Sequence, residues 1–271
     1  MKKYMISCIV LLLIGCAKET TNSPPIEQPI ETTVSSEVGA ETIEATEEDD
    51  IVTENPLEAT NALITATLEE MDEWNSIEMY TSYKEIYEEG SENEFEFIRF
   101  TQYIRNPSTV YIDEQFTSTH HNDTQYYADE YGNAYMNIGD GYMEADNTQI
   151  GRDHIQSRID FLTFAYANGE NHVAELDGNE AVETFTISPT VYEAFSDKLH
   201  PILSIFVDDL DNIFNYELVE VQILLEGITI KGYRVSLTYQ LDEINSLKEA
   251  VLMESFETVD ELQTIDTPFA G

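Results

Sequence analysis

The sequence predicts an α+β domain built on a single curved antiparallel β-sheet with helices lying across one face. Three observations carry that prediction. A long central stretch alternates apolar and polar residues at period two, broken by short polar turns. Segments with the helical period stand before and after it, and three more alternating runs close the chain. No period of roughly 20–50 residues marks a repeat architecture.

Asn55-Pro56 opens a helix whose stripe is Leu57, Asn61, Ile64, Leu68 and Met71, with Glu58, Glu69, Glu70 and Asp72 toward water. Proline suits the first turn, where its missing N–H has no partner in any case. From Ile77 the period falls to two, with Ile77, Met79, Thr81 and Tyr83 alternating with polar residues. Gly90-Ser91-Glu92-Asn93 makes a turn. Phe95, Phe97 and Arg99 then share one face, and Ile98, Phe100 and Ile104 the other. Asn106-Pro107-Ser108 separates that strand from Val110, Ile112, Glu114 and Phe116. Tyr126-Tyr127 and Tyr135-Met136 form a hairpin about Glu130-Tyr131-Gly132-Asn133, and Gly139-Asp140-Gly141 turns into Tyr142-Met143. Fifteen of the 29 aromatic residues fall between Trp74 and Tyr142, which makes this part of the sheet broad and aromatic.

Ile155, Ile159, Leu162 and Tyr166 give the next helix, capped by Asn168-Gly169. A hairpin about Asp177-Gly178-Asn179 follows. Ser188 caps and Pro189 opens a further helix with the stripe Tyr192, Phe195, Leu199 and Ile202, which Pro201 kinks or divides. Strands over 218–225, 233–241 and 250–259 complete the sheet.

Charge limits function. The 271 residues hold 54 Asp and Glu against 12 Lys and Arg, a formal net charge of −42. A nucleic-acid binder needs a basic stripe to displace phosphate counterions, and a polybasic membrane patch needs the same, so both are excluded. A hydrophobic share of 42% separates the chain from disordered acidic sequences, which lack the apolar content for a core.

Residues 1–15 read as a signal peptide. Lys2 and Lys3 form its positive start, and 6–14 is a nearly unbroken apolar run, shorter than the roughly 20 residues of a membrane-spanning helix. It ends in Leu13-Ile14-Gly15-Cys16, which resembles the bacterial lipoprotein lipobox. The resemblance implies cleavage between Gly15 and Cys16, thioether lipidation of Cys16 and acylation of the new amino terminus. Such palmitate-type chains anchor at about 0.8 kcal/mol per buried methylene. Cys8 leaves with the signal peptide, so the mature chain keeps no free thiol and no disulfide. Thiol enzymes, zinc–thiolate sites and iron–sulfur clusters are excluded. Residues 16–55 are the lipidated cysteine and a disordered acidic linker, with eleven acidic residues, Lys18 as its basic residue and no aromatic. Burial cannot offset the ordering entropy of such a segment, whose typical reach is about 35 Å. Residues 56–271 are the α+β domain, held by the anchor at the extracytoplasmic face of the cell membrane.

Lipobox, acidic linker, the helix Ala62-Leu63…Leu68-Glu69-Glu70-Met71 and the Tyr-rich strand after it look like Gram-positive lipoproteins of the LolA-like superfamily, a fold group that includes LppX/LprG-type lipoproteins. The run Gly232-Tyr233-Arg234-Val235-Ser236-Leu237-Thr238-Tyr239 and the ending Ile265-Asp266-Thr267-Pro268 are similar to those chains as well. The resemblance covers roughly 57–268 as a pattern of elements without a diagnostic motif. It implies a half-barrel of strands with helices plugging its concave face, and an apolar cavity for acyl chains or another lipophilic ligand. It transfers no ligand residue by position, and several relatives have no assigned activity.

Catalytic patterns are thin. The sequence holds no Gly-x-Ser-x-Gly elbow, no His-Glu-x-x-His, no phosphate loop and no dinucleotide fingerprint. His120-His121-Asn122-Asp123 reads as a solvated turn, because adjacent side chains on an extended segment point to opposite faces. Asp208-Asp209-Leu210-Asp211 lacks the loop pattern of an EF-hand. The expectation is no metal, no cofactor and no enzyme. Met79, Tyr83, Phe95, Phe97, Tyr103 and Phe116 are the candidate lining of a lipophilic cavity. Such residues also fill solid cores, while tyrosine favours the cavity because its hydroxyl needs a wet or bonded end. Two functions follow. The chain binds or shuttles a lipophilic molecule between sheet and helices, or it is an envelope interaction or sensor-accessory module working through its acidic surface. A continuous apolar cavity of roughly several hundred Å3 distinguishes the first from the second.

Overall fold

In the computed structural model, residues 56–87, 95–117, 122–203, 216–227, 229–240 and 247–268 are described, all within the second of two units, Val52–Gly271. The central alternating stretch forms β1 (Ser76–Tyr87), β2 (Phe95–Ile104), β3 (Thr109–Phe116), β4 (Thr124–Ala128), β5 (Ala134–Asn137) and β6 (Tyr142–Ala145). The later runs form β7 (Gly169–Asp177), β8 (Glu180–Ile187), β9 (Tyr216–Glu226), β10 (Thr229–Tyr239) and β11 (Leu247–Val259). The described α-helices are α1 (Pro56–Met71), α3 (His154–Ala167) and α4 (Tyr192–Leu203), with the single turn α2 (Asn147–Ile150).

The chain lays β1 to β6 outward from the centre by successive hairpins and passes through α2 and α3. It re-enters at the far edge with β7 and returns through β8, β9 and β10 to β11, which pairs with β1. All ten pairings are antiparallel, in the order β6-β5-β4-β3-β2-β1-β11-β10-β9-β8-β7, so the curved sheet stays open at β6 and β7. Burial follows the period of two. Met79, Tyr83, Phe97, Ile112, Val221, Val235 and Leu252 are buried on one face, while Tyr80, Ile98 and Met253 are exposed on the other. The helices cover the first face: α1 lies over β7, β8 and β10, and α3 packs along α4.

Several local features depart from the sequence expectation. Asn61 interrupts the apolar stripe of α1 because it faces a buried carboxylate. With its amide nitrogen turned that way it donates to Glu183 Oε1 at 3.1 Å. Asn168 caps α3 as expected, but Gly169 is not part of a left-handed cap. Asn168 takes φ −113°, and Gly169 opens β7, where a Cβ would lie 2.6 Å from the Phe185 ring. Close packing requires the glycine. Pro189 opens a 3-10 turn, Pro189–Val191, ahead of α4. Pro201 does not divide α4, which runs unbroken through it from Tyr192 to Leu203. The closing strands start a few residues earlier than alternation predicts. In β10 the irregularity between Ile230 and Gly232 shifts the parity and hides the start.

Candidate functional site

Cross-strand register gathers four of the six predicted lining residues. Tyr83 lies opposite Phe97, and Phe97 opposite Phe116, with Phe95 one pair along on the same face. Tyr83 and Phe97 stack at 5.5 Å, and Phe116 lies 6.1 Å from Phe97 and 6.0 Å from Phe95. Tyr83 and Phe97 are buried, Phe95 and Phe116 half-buried. Met79 and Tyr103 share the face but stand apart from the cluster: Met79 is core, and Tyr103 packs on the His154 ring at 5.2 Å. Gly15, Cys16, His120, His121 and the Asp208–Asp211 run lie outside the described residues.

Beside the cluster sits Arg99, 1% exposed, with its guanidinium 4.9 Å from the Phe97 ring centre. It donates from Nη1 to Ile202 O at 2.7 Å and from Nη2 to Leu203 O at 3.4 Å. Those carbonyls belong to the last described turn of α4, where a cation suits the helix dipole. Nε and Nη2 also donate to Glu114 Oε1 at 3.2 and 3.1 Å. The other oxygen of Glu114, Oε2, is buried with no hydrogen-bond partner among the described residues. Burial pushes the Glu114 carboxyl up to about 7, and Arg99 offsets only part of that rise.

A second buried pair lies deeper. Arg158 of α3 donates from Nε to Glu254 Oε2 at 2.9 Å and from Nη2 to Oε1 at 2.6 Å. Thr81 donates to Oε1 at 2.7 Å and Tyr233 to Oε2 at 2.6 Å, so both oxygens are doubly served. Burial works against the charge on Glu254, yet Arg158 and the two hydroxyls outweigh it and hold the carboxyl below its ordinary value. Sequence reasoning put Arg99 and Glu114 on strand faces but gave none of the four charged residues a role, although their positions carried a signal. Arg99, Glu114 and Glu254 hold inward strand positions beside Phe97, Ile112 and Leu252, and Arg158 falls in the stripe of Ile155 and Leu162.

Between sheet and α4 the described residues enclose a void of about 10 Å3, lined by Tyr83, Ser196, Leu199, Leu203, Tyr216 and Leu237. That is room for about one water. Tyr216 and Ser196 share a hydrogen bond at 2.9 Å across its wall, and burial pushes the Tyr216 hydroxyl up to about 12. Larger spaces lie outside the layer: a groove of 310 Å3 between α1 and α3, and a cleft of 460 Å3 on the opposite face of the sheet. Among the described residues no group of three or more His, Cys, Asp and Glu is placed to hold a metal ion, and no helix is long and apolar enough to cross a membrane.

No family model matches the chain, and no curated protein matches it. Among solved structures it is similar to a DUF1329 family protein from Desulfovibrio piger, at 7% identity over 78% of this chain and 96% of that one, with a TM-score of 0.27. It is also similar to a LolA superfamily protein from Nitrosomonas europaea, at 7% identity over 76% of this chain and 94% of that one, with a TM-score of 0.25. Likeness at that level transfers no ligand and no residue role, so the chain's own geometry carries the functional reading.

Proposed function

We propose that this chain is a non-enzymatic lipoprotein, anchored through Cys16 at the extracytoplasmic face of the cell membrane, which binds or shuttles a lipophilic molecule between its sheet and its helices. The observation that carries the reading is the buried Arg99 guanidinium, which joins β2 to the last carbonyls of α4. Hydrogen bonds from a charged donor exchange for water at a net cost of about 1.5–3 kcal/mol each, the less where water takes over both partners. Parting the end of α4 from the sheet uncovers Tyr83, Phe97, Leu199, Leu203 and Leu237, around the small void already between them. An acyl chain entering there replaces apolar contacts by apolar contacts, so the burial lost is regained at about 25 cal/mol per Å2. The conformation described is then the closed one.

The test uses the intact protein in detergent. Native mass spectrometry reads co-purified lipid, and a fluorescent naphthylamine probe reads uptake by the wild type and by Arg99→Met. The reading expects bound lipid or probe in the wild type and faster uptake in the variant. Neither lipid nor uptake in either protein rejects it. A second reading, the envelope interaction or sensor-accessory module, is favoured by the 43 acidic against nine basic residues from Pro56 onward. A cationic partner whose affinity collapses above about 0.1 M salt, where charges are screened within about 10 Å, supports that alternative.

A further inference from the structure

We infer that the outer face of the sheet carries a binding site for a neutral oligosaccharide. After β11 the chain crosses back over that face. Leu262 and Ile265 pack on Ile104 and Tyr127, and Leu262 N donates to Ser76 Oγ at 3.2 Å. Between this segment and the strands lies an open cleft of 460 Å3, whose floor is Gln102, Tyr111, Gln125 and Tyr142 and whose wall includes Thr264 and Asp266.

The floor is held in place by its own bonds. Tyr142 Oη donates to Gln125 Oε1 at 3.0 Å, Asn137 Nδ2 donates to the same oxygen at 3.4 Å, and Gln102 Nε2 donates to Glu78 Oε1 at 2.6 Å. Gln102 and Tyr111 face each other across the β2–β3 ladder. Toward the middle of the sheet the cleft gives way to an aromatic platform. Tyr80, paired with Phe100 in the register, lies 4.9 Å from it ring to ring and is 46% exposed. Residues two apart on a strand share a face, so Phe100 and Gln102 on β2, and Tyr80 and Glu78 on β1, make one continuous surface.

A pyranose presents two faces of C–H bonds and a rim of hydroxyls. Tyrosine and phenylalanine rings offer flat apolar surface to the faces, with a polar tip at the phenol. The bonds that hold the floor leave Gln102 its amide oxygen and a second N–H, and Asp266 adds acceptors, a combination that pairs with neighbouring hydroxyls. No basic side chain lines the cleft among the described residues, and with Asp266 in its wall and Glu78 beside it an anionic ligand meets like charge. The polar floor equally disfavours an acyl chain, which leaves buried amides without partners. The platform beyond the cleft supplies further rings, so the ligand is a chain of sugars rather than one. This inference does not rest on the lipophile reading, because the two sites occupy opposite faces of the sheet.

The test titrates the intact protein, in a sugar-free amine-oxide detergent, with cellohexaose, maltohexaose and chitohexaose, read by saturation-transfer NMR and calorimetry. At least one hexaose is expected to bind, with its monosaccharide about tenfold weaker or worse. Tyr80→Ser and Gln102→Ala are each expected to weaken that binding about tenfold while their thermal midpoints stay near that of the wild type. Silence from all three hexaoses overturns the inference. So does binding that neither variant changes, and so does a site that takes tetramethylammonium in place of sugar and loses it with salt.

Discussion

Replacing Arg158 by methionine removes one half of the deeper buried pair and keeps most of the volume of its stem. Glu254 is left fully buried with the Thr81 and Tyr233 hydroxyls, at 2.7 and 2.6 Å, as its donors. Breaking a buried pair from one side costs about 3–5 kcal/mol, and the two surviving hydroxyls place this case near about 3. For a domain of this size each kcal/mol moves the thermal midpoint by about 2–4 °C, so a fall of about 6–12 °C is expected. The pH dependence separates lost charge pairing from a mere packing defect. In the wild type the folded Glu254 carboxyl lies below its unfolded value, so its stabilisation is present above the unfolded pKa and is lost as pH falls through the folded one. In Arg158→Met burial outweighs the two remaining hydroxyls and the folded pKa rises above the unfolded one. The penalty is then absent in acid and grows as pH climbs past about 4.3. Urea and thermal unfolding followed by circular dichroism, at about pH 8 and about pH 5, should therefore show a wide gap between the two proteins that narrows in acid. Adding Glu254→Gln to the variant should recover much of the loss at the higher pH. A pH-independent gap, or no recovery, refutes the reasoning.

Glu114 predicts the opposite slope. Its folded carboxyl at about 7 lies above the ordinary 4.5, so ionisation costs stability above the unfolded pKa and the cost is relieved as pH falls through 7 toward 4.5. The difference amounts to about 3 kcal/mol, and unfolding curves of Glu114→Gln should lack the gain that the wild type makes between about pH 8 and about pH 5. Equal slopes in the two proteins contradict the assignment. At Gly232 a Cβ would lie 2.1 Å from the Glu254 carbonyl oxygen and 3.1 Å from Ser255 Cα, both backbone, so alanine forces β10 away from β11. A loss of about 3 kcal/mol in urea midpoint analysis is expected, and a loss within about 0.5 is incompatible with that contact. Cys16→Ser should abolish metabolic labelling with an alkyne palmitate and release the chain from the membrane fraction, because no acyl chain remains to hold it. Retained labelling excludes the anchor.

Strand faces are legible wherever the period of two runs unbroken. Phe95, Phe97 and Arg99, and Val110, Ile112, Glu114 and Phe116, all sit on the helix side as alternation places them. Parity is lost where the register shifts, as between Phe256 and Thr258 in β11 or Ile230 and Gly232 in β10, since one extra residue moves every later side chain to the other face. Strand order is legible where strands adjacent in the chain pair, as in nine of the ten pairings, and is hidden at the tenth, β1 with β11. The pairing of Tyr83 with Leu252 joins the two ends of the domain, and no local pattern encodes a partner at that separation. The candidate lining shows a different limit. A wall of Tyr83 and Phe97 looks the same in sequence whether it faces a ligand or a helix, because both need the same apolar surface. Packing density decides, and it is a property of the assembled layers. Parity also puts Arg99 inside without saying that it reaches the carbonyls of α4, which come from a residue range about a hundred positions on.

The two buried ion pairs differ in completeness, and the difference bears on which element moves. Apolar residues of similar volume often replace a buried ion pair at no loss, so neither pair is explained by stability alone. Glu254 has every oxygen served twice and ties α3 to the centre of the sheet through Arg158, Thr81 and Tyr233. Opening that contact strands a carboxylate and a guanidinium together, which fixes α3 as part of the frame. Glu114 has one oxygen served and one without a partner among the described residues, and its carboxyl already sits high enough to take a proton near neutrality. Parting α4 from Arg99 therefore strands less: the guanidinium keeps Glu114, and Glu114 is eased by any water that enters. Of the two packed helices, α4 is the one whose release costs least, and it is the one that covers the aromatic wall.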